Sequence, residues 1–171
     1  MSRYFFSEYS PDWPRQFQEE RRFLMAHLTG LVEVHHIGST SAPGLAAKPI
    51  IDLLPLVGDI RSMDAQSDVL VQAGYKPWGE FGLPGRRYFT KDRDGVRTHN
   101  LHFYAADHPD AARHLAFAAY LQTHPEERGE YEQLKRAVYA QHPDDIGAYN
   151  DGKNDWIKRV EILAMDWWRT R

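Results

Sequence analysis

Two short apolar runs, LVEVHHI at 31–37 and IIDLLPLV at 50–57, enclose a segment, GSTSAPGLAAKP, made of small, hydroxylated and ring-constrained residues. The runs have the length and aliphatic content of buried strands, placed at 31–37 and 49–57, and the connection is too long for a tight hairpin. Such a connection reads as an anion-binding turn. Gly38 lets the chain leave the first strand at unusual dihedral angles, and Ser39, Thr40 and Ser41 offer hydroxyls and free backbone N–H groups at a short helix start. Lys48 adds a positive charge. Asp52 sets one carboxylate among Ile50, Ile51, Leu53 and Leu54, where burial without a partner costs several kcal/mol, so it requires a partner, a metal ion or an edge position facing a cleft. The direction in which the two strands pair is open.

The rest of the chain supplies what must pack around this unit. Trp13, Phe17, Leu24 and Leu28 recur at helical spacing, which predicts a helix over 11–29, opened by Ser10 and Pro11 and stopped by Gly30. Asp59 or Ser62 caps a second helix at 63–73, closed by Gly74, and an extended piece follows at 75–78. Residues 80–86 form a loop. Strands at 87–91 and 96–104 are joined through Asp94-Gly95, a strong hairpin signal. Helices at 109–122, 126–140 and 149–169 complete the chain, divided at His124-Pro125 and His142-Pro143. An N-terminal helix, a sheet of at least four strands, expected to be mixed in the fold that the resemblance given below implies, and a C-terminal run of helices make an α+β domain spanning residues 1–171.

Charge and composition narrow the functions available. A net charge of −3 without a basic tail argues against general nucleic-acid or anionic-membrane binding, so phosphate recognition has to be local. The absence of cysteine removes disulfides and thiolate metal sites, and neither a signal peptide nor a membrane span is visible, so a cytoplasmic location is expected.

Two further groups carry possible chemistry. In Thr98-His99-Asn100-Leu101-His102, strand alternation puts Asn100 and His102 on one face, able to look into the same cleft as Asp52 if the strands are neighbours. A partly buried, backbone-bonded histidine is the plain alternative for His102. Lys48, Arg86, Arg87, Lys135 and Lys153 could converge to neutralise phosphate, against the default of solvated surface cations. Tyr131 precedes Lys135 by four residues and Tyr149 precedes Lys153 by four, so each pair shares a helix face. Metal-dependent phosphoryl transfer by two ions usually draws two acids from one strand face, but Asp52 is followed at the next same-face position by Leu54. One ion held by Asp52 with groups from a neighbouring strand remains available.

Taken in order, HIGSTSAPGLAAKPIIDLL, RRYF, RTHNLHF, YLQTHP, EYEQLK and YNDGKNDWI closely resemble the GrpB (UPF0157-type) family over nearly the whole chain. That family resembles a branch of the polymerase β-like nucleotidyltransferases, and a related domain occurs fused to dephospho-CoA kinase. The resemblance implies that Gly38 and Ser39 bind nucleotide phosphates and that Asp52 holds the divalent ion. It places the superfamily's second acid at Leu54 and the strand of its third acid at Asn100 and His102, where the family's His-Leu-His pattern is written Asn100-Leu101-His102. It also supports Lys135 and Lys153 as triphosphate contacts.

The expected function is therefore that of a nucleotidyltransferase-like protein binding a nucleoside triphosphate. Gly38, Ser39, Thr40, Lys48, Arg87, Lys135, Tyr149 and Lys153 would meet the phosphates. Asp52, Asn100 and His102 would position one loosely held Mg²⁺ or Mn²⁺, with Asp52 and His102 the catalytic candidates and a small molecule the acceptor. The alternatives are a non-catalytic module for a nucleotide or CoA-related ligand and, behind it, a metal-dependent phosphoester hydrolase. Acceptor, base and oligomeric state are open.

Overall fold

The computed structural model describes residues 4–171; residues 1–3, the start of the stretch read above as lacking a signal peptide, lie outside the described residues. Helix α1 (Trp13–His27) leads into β1 (Leu31–Ile37), a 3₁₀ turn at Ser39–Ser41 and β2 (Ile51–Val57). A 3₁₀ segment (Ile60–Gln66), α2 (Ser67–Gln72), β3 (Tyr75–Pro77), β4 (Arg87–Arg93) and β5 (Val96–Ala105) follow, then α3 (Pro109–Thr123), α4 (Pro125–Gln141) and α5 (Ile146–Thr170). The five strands form one mixed sheet in the order β1-β2-β5-β4-β3. β1 and β2 are antiparallel, β3, β4 and β5 form an antiparallel meander, and β2 joins β5 in parallel with Asp52 opposite Asn100.

Both faces are covered, unequally. Leu53, Phe89, Leu101 and Phe103 pack against Trp13, Phe17 and Leu24 of α1 and against Met63 and Leu70. On the opposite face Ile37, Leu54, Leu56 and Tyr104 pack under Ala111 and Ala118 of α3. Helix α5 lies along α3 through Ala116, Tyr120, Val160 and Ala164. The second face is the one that carries the polar residues of β2 and β5.

Several boundaries differ from expectation for local reasons. Helix α1 begins at Trp13 with Asp12 as its N-cap residue, because Ser10 Oγ accepts from the Asp12 N–H and holds a turn before the helix. The helix expected at 63–73 is a 3₁₀ segment to Gln66 and only then α-helical; Asp59 does cap it, accepting from the Arg61 N–H. The last helix starts at Ile146 rather than 149, with Asp145 accepting from the Ala148 N–H. Gly147, a poor helix former, falls in the added turn, which the Asp145 cap supports. Gly152 is required farther along the helix: a Cβ would lie 2.6 Å from Val138 Cγ1, so the glycine lets α5 press against α4.

Candidate functional site

The turn after β1 is fixed from several sides. Gly38 has φ +73°, in the left-handed region, and a Cβ on it would stand 2.7 Å from Asp52 Oδ2. Any other residue would be strained and would push on that carboxylate. Thr40 is buried, and its hydroxyl donates to the Ile50 carbonyl at 3.0 Å. Since that uses the only hydroxyl proton, the 2.9 Å contact between Thr40 Oγ1 and His36 Nε2 has the imidazole as donor. Burial pushes His36 down to about 4, which keeps the ring neutral and able to make this bond. The Thr40 hydroxyl therefore anchors the turn internally. Farther on, Glu132 of α4 accepts from the Ala46 N–H at 2.8 Å and holds the rest of the connection against the helices.

Asp52 lies on an interior strand, and its partners come from β5. Oδ1 accepts from Asn100 Nδ2 and from His102 Nε2, each at 3.0 Å. Asn100 Oδ1 in turn accepts from Arg97 Nη1 at 3.2 Å. Burial opposes the charge on Asp52, but the bond and charge of His102, the Asn100 bond and nearby Lys48 together hold its carboxyl below the usual carboxylate range. The side chain keeps 24% exposure, and Oδ2 receives no hydrogen bond from the described residues.

A cavity of about 180 Å³ opens beside this carboxylate, bounded by the 38–40 turn, Lys48, Asp52 and Asn100 on the sheet side. Tyr131 and Lys135 of α4 and Tyr149 and Lys153 of α5 close it from the other. Each helix pair sits as its four-residue spacing requires: Lys135 Nζ is 4.6 Å from the Tyr131 ring centre and Lys153 Nζ 4.2 Å from that of Tyr149. Lys48 Nζ lies 5.1 Å from the same Tyr149 ring and 3.5 Å from Asn150 Oδ1. Tyr131 is stacked on Trp156 at 4.5 Å, and burial pushes its hydroxyl up to about 12.

Three lysine side chains thus share one cavity with a single carboxylate. Burial and mutual repulsion push Lys153 down to about 7, and the same causes lower Lys135 well below the ordinary lysine value. Lys48 is lowered by burial, with Asp52 opposing. Lys135 Nζ and Tyr149 Oη are buried without any hydrogen-bond partner among the described residues. Each such orphan costs about 1–3 kcal/mol, and an anion with several acceptor oxygens would satisfy both.

Arg87 is elsewhere, which corrects its expected place among the phosphate contacts. It pairs with Phe103 across β4 and β5, so strand alternation turns it to the α1 face, away from His102. There its guanidinium binds Asp64 through Nε at 2.7 Å and Nη2 at 3.3 Å. Asn100 and His102 share a face with Asp52, but as donors to its carboxylate. No group of three or more His, Cys, Asp or Glu side chains able to hold a metal occurs among the described residues. Leu54, where a second acid would stand, is fully buried against the α3 cluster. Tyr131 enters the cavity although only its spacing to Lys135 singled it out in the sequence. Arg97 went unnoticed, because a β-bulge at Thr98 shifts the register between Lys91 and Asp92 and brings Arg97 onto the Asn100 face.

A model of the GrpB protein family matches residues 5–162. The chain is 43% identical over 164 residues to UPF0157 protein YqkA of Bacillus subtilis, covering 95% of this chain and 48% of that protein. It therefore spans about half the length of that relative. A dephospho-CoA kinase of Mycolicibacterium paratuberculosis is 28% identical over 92% of this chain and 45% of its own length. Among solved structures, the conserved protein GrpB of Enterococcus faecalis superposes with a TM-score of 0.92 at 42% identity, covering 96% of this chain and 99% of that one. Cid1, described as a poly(U) polymerase and solved with its short product ApU, gives a TM-score of 0.53 at 12% identity over 85% of this chain and 48% of its own. At that identity the likeness speaks for the fold alone, which this chain shares with that part of Cid1.

Proposed function

This chain belongs to the GrpB family, and from that membership and the geometry of its cavity we propose that it binds a nucleoside triphosphate, with the phosphates among Lys48, Lys135 and Lys153. The carrying observation is the pair of orphaned donors, Lys135 Nζ and Tyr149 Oη, in a cavity where three lysines face one carboxylate. A polyphosphate supplies the opposite charge and the acceptors, and the cavity of about 180 Å³ suits a phosphate chain better than a whole nucleotide. Gly38 and Ser39 present the turn to it.

The donor set fits one loosely held Mg²⁺ or Mn²⁺. Asp52 Oδ2 receives no hydrogen bond from the described residues, and such ions take few protein ligands, completing their shell with phosphate oxygens and water. When bound, the ion would neutralise phosphate charge and make the α-phosphorus more electrophilic. Asn100 and His102 hold the carboxylate in place by fixing Oδ1. For transfer, an acceptor hydroxyl oxygen bonds to the α-phosphorus while the bond from that phosphorus to the pyrophosphate oxygen breaks. Pyrophosphate leaves with the electron pair and the hydroxyl proton passes to water. The acceptor is a small molecule. Leu54 favours a second reading, a binding module for a nucleotide or CoA-related ligand that carries out no transfer.

Calorimetric titration of ATP, GTP, CTP and UTP, with and without Mg²⁺, tests the binding. Micromolar to low-millimolar binding of at least one, lost in Lys135→Met, is expected; failure of all four would overturn the reading. Pyrophosphate release with small-molecule extract as acceptor separates enzyme from binding module.

A further inference from the structure

Beside the phosphate cavity, on the same sheet face, a second and larger hollow of about 520 Å³ lies over β3, β4 and the start of β5. Lys76, Trp78, Thr90, Asp92 and Arg97 line it. The Trp78 indole N–H donates to Thr90 Oγ1 at 2.8 Å, which fixes the ring edge on the sheet. Phe81 and Tyr88 continue the aromatic run beside the indole, with ring centres 5.2 Å and 5.6 Å apart in succession. The Lys76 ammonium rests 4.2 Å from the indole ring centre on a flexible stem that can swing away. Arg97 is held flat by Asp92 at 2.6 Å and by Asn100 at 3.2 Å.

The two hollows are joined through the sheet. Asp52, Asn100 and Thr90 are register neighbours on β2, β5 and β4, so Thr90 lies two strand spacings from Asp52, about 10 Å. Asn100 lines the phosphate cavity and Arg97 lines the second hollow, and the two are hydrogen-bonded. From an α-phosphate held at Asp52, a ribose and its base reach about that far. The phosphate cavity, at about 180 Å³, is the smaller of the two.

We propose that the Trp78 hollow is the base site of the bound nucleotide: the heteroaromatic ring stacks on the indole in place of the Lys76 ammonium, with the ribose over Asn100 and Arg97. This rests on the triphosphate reading above. A stacking platform accepts every base, so the site selects for the presence of a flat ring more than for its identity. Lys76, displaced from the indole, meets acceptor atoms on the ring edge.

The test compares Mg²⁺-ATP with Mg²⁺-tripolyphosphate in the full chain and in Trp78→Ala and Trp78→Phe. Wild type is expected to favour ATP over tripolyphosphate by roughly 10-fold or more, the range of one base–aromatic stack. Trp78→Ala is expected to abolish that preference while tripolyphosphate binds as before, which also shows that the variant is folded. Trp78→Phe, which keeps a ring, is expected to retain most of it. A preference unchanged in Trp78→Ala, or no preference in wild type, would overturn the base site and leave the phosphate reading standing. Binding of neither compound to wild type would overturn both.

Discussion

Binding of a polyphosphate should draw protons into the protein, and Lys153 sets the scale. In the ligand-free chain burial, reinforced by Lys48, lowers this lysine from 10.5 to about 7, a penalty of roughly 5 kcal/mol on its charge at about 1.4 kcal/mol per pH unit. A phosphate oxygen beside the ammonium restores the ordinary value. Below pH 7 the lysine is charged with or without ligand, so no proton moves. Above pH 7 the free form is neutral and the bound form charged, so affinity falls by roughly tenfold per pH unit for each proton taken up. Mg²⁺-tripolyphosphate should accordingly bind about a hundredfold more weakly at pH 9 than at pH 7, and more weakly still if Lys135 titrates in the same window. Calorimetry at pH 8 in buffers of different ionisation enthalpy counts the protons directly. One to two should be taken up in wild type and about one fewer in Lys153→Met. An affinity flat between pH 7 and 9, with heats independent of buffer, would refute the argument that these lysines are poised by burial and mutual repulsion.

Other consequences follow from the same contacts. Lys153→Met should stabilise the ligand-free protein at pH 6 in urea denaturation, since the unfolded chain binds more protons than the native one between about 7 and 10.5 and the penalty is complete below that window. Gly38→Ala should weaken Mg²⁺-ATP binding at least about tenfold while tripolyphosphate without Mg²⁺ is less affected, because the new Cβ collides with Asp52 Oδ2. Gly152→Ala should cost roughly 1–3 kcal/mol by thermal or urea unfolding through its clash with Val138, with partial recovery in the double variant Gly152→Ala/Val138→Ala. Thr40→Val should cost about 1–3 kcal/mol, because it leaves the His36 N–H and the Ile50 carbonyl without their buried partner.

The unit at 31–57 was largely legible because its signals are local: apolar runs bounded by glycine and proline, and one acid in the wrong company. The Tyr131–Lys135 and Tyr149–Lys153 pairs were visible as four-residue spacings, but their meeting depends on how closely α4 and α5 approach. Gly152, which permits that approach, falls inside the helix expected at 149–169, and its spacing does not say which neighbour its missing side chain admits. Arg87 illustrates a different limit. Whether an arginine at a strand start faces the site depends on register, and the pairing with Phe103 sends it to the other face. Arg97 was hidden for the opposite reason, since counting alternate residues fails across the bulge at Thr98. Thr90 lies on β4 and Trp78 just after β3, and only the order β5-β4-β3 brings them into line with Asp52.

The single parallel joint in the sheet bears on how the chain folds. The β1–β2 pair and the β3-β4-β5 meander are each antiparallel and close over modest sequence distances, whereas Asp52 and Asn100 are 48 positions apart. Contacts of that span form after the local ones. The acid and its two donors are therefore expected to meet late in folding, when the two halves of the sheet dock. A polyphosphate or metal ion that prefers the finished carboxylate would act at that final step, slowing the parting of the halves more than it hastens their formation.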